Sequence, residues 1–490
     1  MYKYNKIFVS VPLLLLVVGI IGNSFTSTAV ASTTPSLYVN PSSYVAASLG
    51  ETVPIEVDVY LYNINLTGYQ FQLSFNATLL QCLNASVGRL FQALPNVIST
   101  VTKDNVNGII SISANIQTGG NPVSGFGPLL SVFFIATYST SYPQQAACPL
   151  QISNDTLYGT GTPPQILVHN VANGSYQAPI VPPQLSLTMS TSSAYNGKYY
   201  FENRITVNGS LTGNGYPILN GLVALEIRDP RNYLVVARTL PTSSLPVNCP
   251  LQITALTPCD SGGSPQSSFQ VGSSELYFDL MIRNPSSSSM IARVTENPYD
   301  SSNDSLGVLS QQVLIPAAST YEVLSQGMPL QTPPYYTPAA SANATVYASV
   351  WTDLLENGGV PISTESMAKF TITGTAQGTP VYTSLPTQGT YKADPILHWA
   401  YSNTGTYAIN VATTFMGKNA TQSKQILIKL CADINGDGKV GLSDLTLLAK
   451  AYGSTPASPN WNANADINGD GRVSLSDLNL LAKNYGKGLV

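Results

Sequence analysis

The sequence predicts a mainly β protein, with several β-sandwich domains in series and a small α-helical module at the carboxyl terminus. Two observations predict this class. Apolar and polar residues alternate with a period of two in many short segments, which is typical of half-buried strands, and 38 glycines and 34 prolines supply turns between them. Apolar residues at helical spacing are clear only from residue 431 onward.

The amino terminus has the features of a secretory signal peptide. Lys3 and Lys6 precede an apolar run, and Ala29-Val30-Ala31 fits the small-residue cleavage rule. We therefore predict a signal peptide over residues 1–31 and a secreted or cell-surface protein; the alternative is an uncleaved anchor. Nine Asn-x-Ser/Thr sequons agree with export and predict a glycoprotein.

Residues 36–180 predict a β-sandwich. Alternation is clearest in "PIEVDVYLY" and "YQFQLSFN", and "GIISISANI" and "LLSVFFIA" continue the series. The segment resembles a cohesin domain through "GETVPIEVDVYLYNINLTGYQFQLSFNATLL", "GFGPLLSVFF" and "ILVHNVANGSYQ". This resemblance is one of pattern, without a chemical fingerprint, and a generic immunoglobulin-like sandwich is the alternative.

The middle of the chain predicts one sandwich inserted into another. Residues 184–245 and 376–430 each contain too few strands for a sandwich, whereas 250–375 contain about seven. We therefore predict a split immunoglobulin-like sandwich, 184–245 plus 376–430, that closes around an inserted β-sandwich, 250–375. The inserted part resembles adhesin modules. Three consecutive small domains are the alternative.

The five cysteines predict two disulfides in an oxidising compartment. Two lie within the first sandwich and two lie ten positions apart in the inserted one. Cys431 remains unassigned. The predicted pairs are Cys82–Cys148 and Cys249–Cys259.

The carboxyl-terminal region contains two nearly identical acidic segments, "ADINGDGKVGLSDLTLLAKAYG" and then "ADINGDGRVSLSDLNLLAKNYG". Each copy has the spacing of an EF-hand calcium loop, with oxygen-bearing side chains at positions 1, 3, 5 and 12, Gly at 6, and a backbone carbonyl at 7. All six acids after residue 431 occupy these positions, which a solvated acidic surface would not produce. We predict two bound calcium ions. The candidate ligands are Asp433, Asn435, Asp437, Lys439 and Asp444 in the first loop, and Asp466, Asn468, Asp470, Arg472 and Asp477 in the second.

Each loop precedes one short helix, with a predicted apolar stripe at Leu445, Leu448, Ala449 and Tyr452 in the first copy. A duplicated loop with only its exiting helix, and Asp instead of the usual Glu at position 12, resembles a type I dockerin over residues 431–490. The resemblance implies that positions 10 and 11 help to recognise a cohesin-type partner. These residues are Leu442, Ser443, Leu475 and Ser476.

Composition and motifs limit the classes of function that the protein can have. A net charge of −4 argues against nucleic-acid binding. Two distant histidines, His169 and His398, and the lack of a nucleophile or phosphate-loop motif predict a non-catalytic protein. We predict an extracellular assembly or adhesion scaffold whose partner is a cohesin-type domain of another copy or of another surface protein. Two alternatives remain: a dockerin-borne subunit that binds or degrades polysaccharide, since a glycosidase needs only two carboxylates, and a structural surface-layer component.

Overall fold

The structure is a computed structural model that describes residues 34–201, 203–270, 274–301, 303–329, 341–373, 390–393 and 404–488. The predicted signal peptide, residues 1–31, lies outside the described residues. Strand accounts for 54% of the structure and helix for 7%, which confirms the predicted mainly β class. The chain divides into two compact units, residues 1–140 with 145–180 and residues 141–144 with 181–490. None of the described helices is long and apolar enough to span a bilayer.

The first unit is a two-sheet sandwich. Its elements are β1 (Ser36–Asn40), β2 (Ser43–Val45), β3 (Thr52–Tyr60), β4 (Leu66–Ser74), β5 (Leu80–Val87), α1 (Arg89–Gln92), β6 (Val97–Asp104), β7 (Ile109–Ile116), β8 (Phe126–Ala136), β10 (Ala147–Gly159), β11 (Gln165–Leu167), β12 (Asn170–Ala172) and β13 (Gly174–Gln177). The two-residue strands β9 (Thr140–Ser141) and β14 (Ile180–Val181) lie where the chain passes between the units. One sheet has the order β12-β1-β3-β8-β5, and the other has the order β2-β13-β10-β4-β7-β6 with β11 against β10.

Alternation explains the core of this sandwich. Val53, Ile55 and Val57 of β3 point inward and are fully or almost fully buried, and Tyr69 and Phe71 of β4 belong to the same core. Because successive side chains of a strand point to opposite faces, every second residue of these strands is apolar.

The second unit contains the remaining elements. They are β15 (Leu185–Leu187), β16 (Ser190–Ser192), β17 (Tyr199–Tyr200), β18 (Thr206–Gly213), β19 (Tyr216–Pro217), β20 (Leu222–Arg228), β21 (Leu234–Pro241), β22 (Gln252–Cys259), β23 (Ser268–Gln270), β24 (Glu275–Asn284), β25 (Met290–Tyr299), β26 (Leu309–Ile315), β27 (Ser319–Leu324), β28 (Met328–Pro329), β29 (Ser341–Trp351), a 3-10 helix (Leu355–Asn357), β30 (Ser366–Thr373), β31 (Thr390–Ala393), β32 (Gly405–Phe415), β33 (Lys418–Lys429), α2 (Leu442–Ala451) and α3 (Leu475–Asn484).

Strands that are distant in sequence share sheets in the second unit. One sheet has the order β15-β18-β16 with β19 and β31 against β18, and another has the order β17-β33-β32-β20-β21. Both sheets join strands from before and after the segment 250–375. The strands of that segment form two sheets of their own, β22-β24-β27 with β28 against β24, and β23-β30-β29-β25-β26.

Buried polar contacts join the inserted strands to those around them. Arg238 donates through Nε and Nη2 to the two carboxylate oxygens of Glu365, at 2.8 Å each. The indole nitrogen of Trp351, which is fully buried, donates to the hydroxyl of Thr239 at 2.8 Å. Bidentate pairs of this kind fix orientation as well as position, so the two parts of the second unit are held in one arrangement.

All five cysteines are buried in the structure. Burial raises the pKa of Cys249 and of Cys259 to about 11. Cys82 and Cys148 lie in the core of the first sandwich. The two predicted disulfides stay predictions.

Candidate metal centre

The first loop winds around the carboxylate of Asp433. Asp433 Oδ1 accepts hydrogen bonds from the amides of Gly436 (2.8 Å) and Asp437 (3.1 Å), and Oδ2 accepts one from Gly438 (2.9 Å). Gly436 and Gly438 have φ of 76° and 84°, in the left-handed region that glycine adopts without a steric penalty. The sharp turn predicted at position 6 is therefore present.

Position 12 ties the end of each loop to its beginning. Asp444 is fully buried; its Oδ1 accepts from the amides of Ile434 (2.7 Å) and Asn435 (3.1 Å), and its Oδ2 accepts from Gly441 (2.8 Å). Asp477, also fully buried, makes the same three contacts in the second loop, at 2.6, 3.1 and 2.9 Å, with residues 467, 468 and 474. The third contact of each carboxylate is with the amide of the N-cap residue of the helix that follows the loop. It fixes the position of the helix relative to the loop.

Hydrogen bonds at equivalent positions join the two halves of the module. The amide of Gly486 donates to the carbonyl of Val440, and the equivalent amide of Gly453 donates to the carbonyl of Val473, both at 2.8 Å. The repeated sequence therefore folds into a repeated structure, and the end of each helix is hydrogen-bonded to the loop of the other half.

The electrostatics of the first loop favour a cation. Burial raises the pKa of the Asp433 carboxyl, the amides of Gly438 and Gly436 lower it, and the neighbouring carboxylates of Asp444 and Asp437 raise it again. A carboxylate whose pKa is raised by neighbouring carboxylates is stabilised by a nearby positive charge. The donor set, carboxylate, amide and carbonyl oxygens on a tight turn, is the set that calcium prefers.

The loop oxygens are held by nitrogen donors in this structure. Asn435 Nδ2 donates to Asp437 at 2.7 Å, and Asn468 Nδ2 donates to Asp470 at 2.8 Å. Within the described ranges, no three His, Cys, Asp or Glu side chains converge closely enough to hold a metal ion. The residue types and the backbone turn thus fit calcium, while the side chains point to loop amides.

The four predicted recognition residues are the first two residues of each of the two helices. Leu442 and Leu475 are 69% and 58% exposed, which leaves both side chains accessible to a partner. Ser443 and Ser476 beside them are also exposed.

The predicted apolar stripe was wrong in part. The residues buried on α2 are Asp444, Leu448 and Ala451, whereas Ala449 and Tyr452 are exposed. The helix ends at Ala451, and Tyr452 has a non-helical ψ of 135°, so helical spacing does not extend to it.

Sequence reasoning missed contacts on the second loop from far along the chain. Tyr200 donates its hydroxyl to the carbonyl of Ile467 at 3.0 Å, and Lys198 donates its ammonium to the carbonyl of Asp466. No local signal could have found them, because the partners are 267 and 268 positions apart.

Comparison with known proteins agrees with the carboxyl-terminal prediction. Residues 431–485 match the family model of the dockerin type I domain. No curated protein sequence matches the chain.

Several solved cohesins are similar to the amino-terminal part of the chain. A non-cellulosomal cohesin from the hyperthermophilic archaeon Archaeoglobus fulgidus is 17% identical, with 30% of this chain and 91% of that chain covered and a TM-score of 0.24. The Coh-OlpA-Doc918 type I cohesin–dockerin complex from Clostridium thermocellum is 11% identical, with 30% and 99% covered and a TM-score of 0.25. The seventh ScaB type I cohesin from Pseudobacteroides cellulosolvens is 16% identical, with 31% and 95% covered and a TM-score of 0.24.

The family match confirms the predicted dockerin type I domain over residues 431–485, which follows the β-sandwiches of the chain.

Proposed function

We propose that this protein is an extracellular, non-catalytic assembly or adhesion scaffold that binds a cohesin-type domain through its dockerin in a calcium-dependent way. One observation carries the proposal. Each loop fixes, through its position-12 carboxylate, the start of a helix whose exposed leucine stands next to the loop. Order in the loops and presentation of Leu442 and Leu475 are therefore coupled.

Each loop would hold one calcium ion. Bound calcium would neutralise the clustered carboxylates and draw the loop oxygens together. Lys439 and Arg472 would contribute only their backbone carbonyls, and the other eight candidate ligands their side-chain oxygens. These eight are Asp433, Asn435, Asp437, Asp444, Asp466, Asn468, Asp470 and Asp477.

The strand pairing supports a division into domains. We propose a cohesin-like sandwich at 36–180, a split sandwich at 184–245 plus 376–430, an inserted sandwich at 250–375 and a dockerin at 431–490. Pairing of β18 with β31 and of β20 with β32 supports the split sandwich, because each pair joins a strand before the insertion to one after it. Residues 376–389 and 394–403 of the split sandwich lie outside the described residues.

The dockerin match supports a cohesin-type partner, on another copy or on another surface protein. If the dockerin of one copy binds the cohesin-like sandwich of the next, the contact is heterologous. A contact of this kind leaves one free end on each side, so it builds rings or open filaments.

The test mixes two purified pieces, 32–180 and 181–490, in calcium and then in chelator. The second piece keeps the split sandwich because that sandwich bonds the second loop. Self-assembly predicts calcium-dependent binding with a Kd below ~10 μM, about 7 kcal/mol, and loss of binding when Asp444 and Asp477 are both replaced by Ala. Absence of binding, with both pieces shown to be folded, would favour a partner on another protein.

A surface of the first unit favours a second candidate, polysaccharide binding. The rings of Tyr60 and Phe126 stack, with centroids 6.2 Å apart and an angle of 15° between their planes. The ring centroid of Tyr62 lies 4.2 Å from that of Tyr60. Phe126 is 73% exposed. Exposed parallel rings suit the apolar face of a sugar. Retention of 32–180 on insoluble glycans, lost on Tyr60→Ala, would support this candidate, and equal retention of both proteins would argue against it.

A further inference from the structure

The two calcium loops are near copies in sequence, but their surroundings differ. The turn Tyr195–Lys198 of the split sandwich and the following Tyr200 place three donors on the second loop and the residues before it. Asn196 Nδ2 donates to the carbonyl of Gly469 (2.9 Å), and the Tyr200 hydroxyl donates to that of Ile467 (3.0 Å). Lys198 donates to the carbonyls of Ala463 (2.9 Å) and Asp466.

The sandwich holds these donors firmly. Asn196 and Gly197 have φ of 45° and 84°, and the amide of Lys198 bonds the carbonyl of Tyr195 at 2.9 Å, as in a tight two-residue hairpin turn. Tyr200 belongs to β17, which pairs with β33 at Lys429, and its side chain lies in the same apolar cluster as Ile467 and Leu481.

The equivalent carbonyl of the first loop, that of Ile434, accepts instead from Asn464 Nδ2 of the carboxyl-terminal module at 3.3 Å, and among the described residues no side chain of the 195–200 segment donates to the first loop. Asp433 is partly exposed and lines two cavities of about 540 and 210 Å³, both of which are also lined by β33 residues. Asp466, its counterpart, is only 4% exposed. The 195–200 segment thus donates hydrogen bonds to the second loop, whereas towards the first loop it borders the cavity of about 540 Å³ that Asp433 also lines.

Two equivalent glycines show the same difference. A Cβ on Gly469 would lie 3.0 Å from the carbonyl oxygen of Tyr195 and 3.1 Å from the Cβ of Asn196, whereas a Cβ on Gly436 would have no atom within 4 Å. Their φ angles are nearly equal, 72° and 76°, so alanine meets similar backbone strain at either position. Only the contact with the sandwich differs.

We propose that the split sandwich is a built-in support for the second calcium loop and makes the two calcium sites unequal. The second loop keeps its shape without calcium, because the donors of the 195–200 segment fix its backbone. The ammonium of Lys198, 4.0 Å from the Asp466 carboxylate, also offsets the repulsion among its acids. The first loop acquires its order from calcium. This inference rests on the proposed calcium function.

Hydrogen–deuterium exchange of the full-length mature chain in chelator tests the support. Peptides that cover 433–444 and 466–477 have nearly the same sequence, so their intrinsic exchange rates match and each serves as the control for the other. We expect the second loop to exchange at least ~10-fold more slowly, since several net hydrogen bonds hold it. Equal rates in chelator would overturn the proposal.

Variants then locate the cause. We expect G469A to raise the exchange of the second loop to that of the first, and the matched control G436A to leave the second loop unchanged. Equal effects of the two variants on the second loop would overturn the proposal. K198M and Y200F alter no loop residue and provide a separate check. Each is expected to speed the exchange of the second loop about fivefold. An unchanged exchange rate of the second loop in both variants would contradict the proposed support.

Calcium is then added to separate this proposal from the function on which it rests. The expected result is strong slowing of exchange in the first loop and slight slowing in the second. No change in either loop would refute the calcium function, yet a difference already measured in chelator would remain evidence for the support. Equal slowing of both loops would refute the inequality of the sites.

Discussion

Replacement of Asp444 by alanine tests the role of position 12 most sharply. The carboxylate is fully buried and accepts three backbone hydrogen bonds, from Ile434, Asn435 and Gly441. A hydrogen bond to a charged group contributes about 1.5–3 kcal/mol, so three at the low end come to roughly 4.5 kcal/mol. If that energy is lost from the calcium-bound form, the apparent affinity of the first loop falls about 2,000-fold.

The matched control is Lys439→Ala. The Lys439 side chain is exposed and its predicted ligand is the backbone carbonyl, which alanine retains. We expect a change within about 0.5 kcal/mol, as for an ordinary surface substitution. Calorimetric calcium titration of residues 181–490 measures both variants, with circular dichroism to confirm that each is folded. Equal losses of affinity in the two variants would refute the assignment of these positions.

Three further predictions concern the sandwiches and the cysteines. Glu365→Ala leaves the Arg238 guanidinium buried without its carboxylate and should cost about 3–5 kcal/mol in urea unfolding, whereas a loss below about 1 kcal/mol would show that the pair does not hold the insertion in place. Glu296 is fully buried without a hydrogen-bond partner for either carboxylate oxygen among the described residues, and burial raises its pKa from 4.5 to about 8. The folded state then keeps a proton that the unfolded state loses, so the free energy of unfolding should fall as pH rises from 4.5 to 8; a pH slope that Glu296→Gln does not reduce would contradict this. Non-reducing peptide mapping of the protein should recover two disulfides, Cys82–Cys148 and Cys249–Cys259. A disulfide that joins the two sandwiches would overturn the proposed domain division.

The local features of the candidate site could be predicted from the sequence. The calcium-loop spacing predicts the turn at Gly438 and the position of Asp444 because each contact spans twelve residues or fewer. The strands of the sandwiches follow from alternation for the same reason. Tyr452 was misplaced because helical spacing alone does not mark where a helix ends, and this helix ends one residue earlier.

Contacts between distant segments could not be predicted. Tyr200 belongs to a short strand whose sequence gives no sign of a partner, and its hydroxyl reaches Ile467 only because β17 pairs with β33 just before the dockerin. The same limit applies to Arg238 and Glu365, which are 127 positions apart. Such pairs depend on how whole sheets are arranged, and that arrangement leaves no local pattern in the residues.

Native mass spectrometry of the intact protein is the sharpest test of calcium binding, because it counts the ions bound to each chain. We expect two calcium ions on the wild-type chain, one on the Asp444→Ala variant, and none on the variant in which Asp477 is also replaced by alanine. A wild-type chain without calcium, or an ion count that the double replacement leaves unchanged, would contradict the proposed calcium binding.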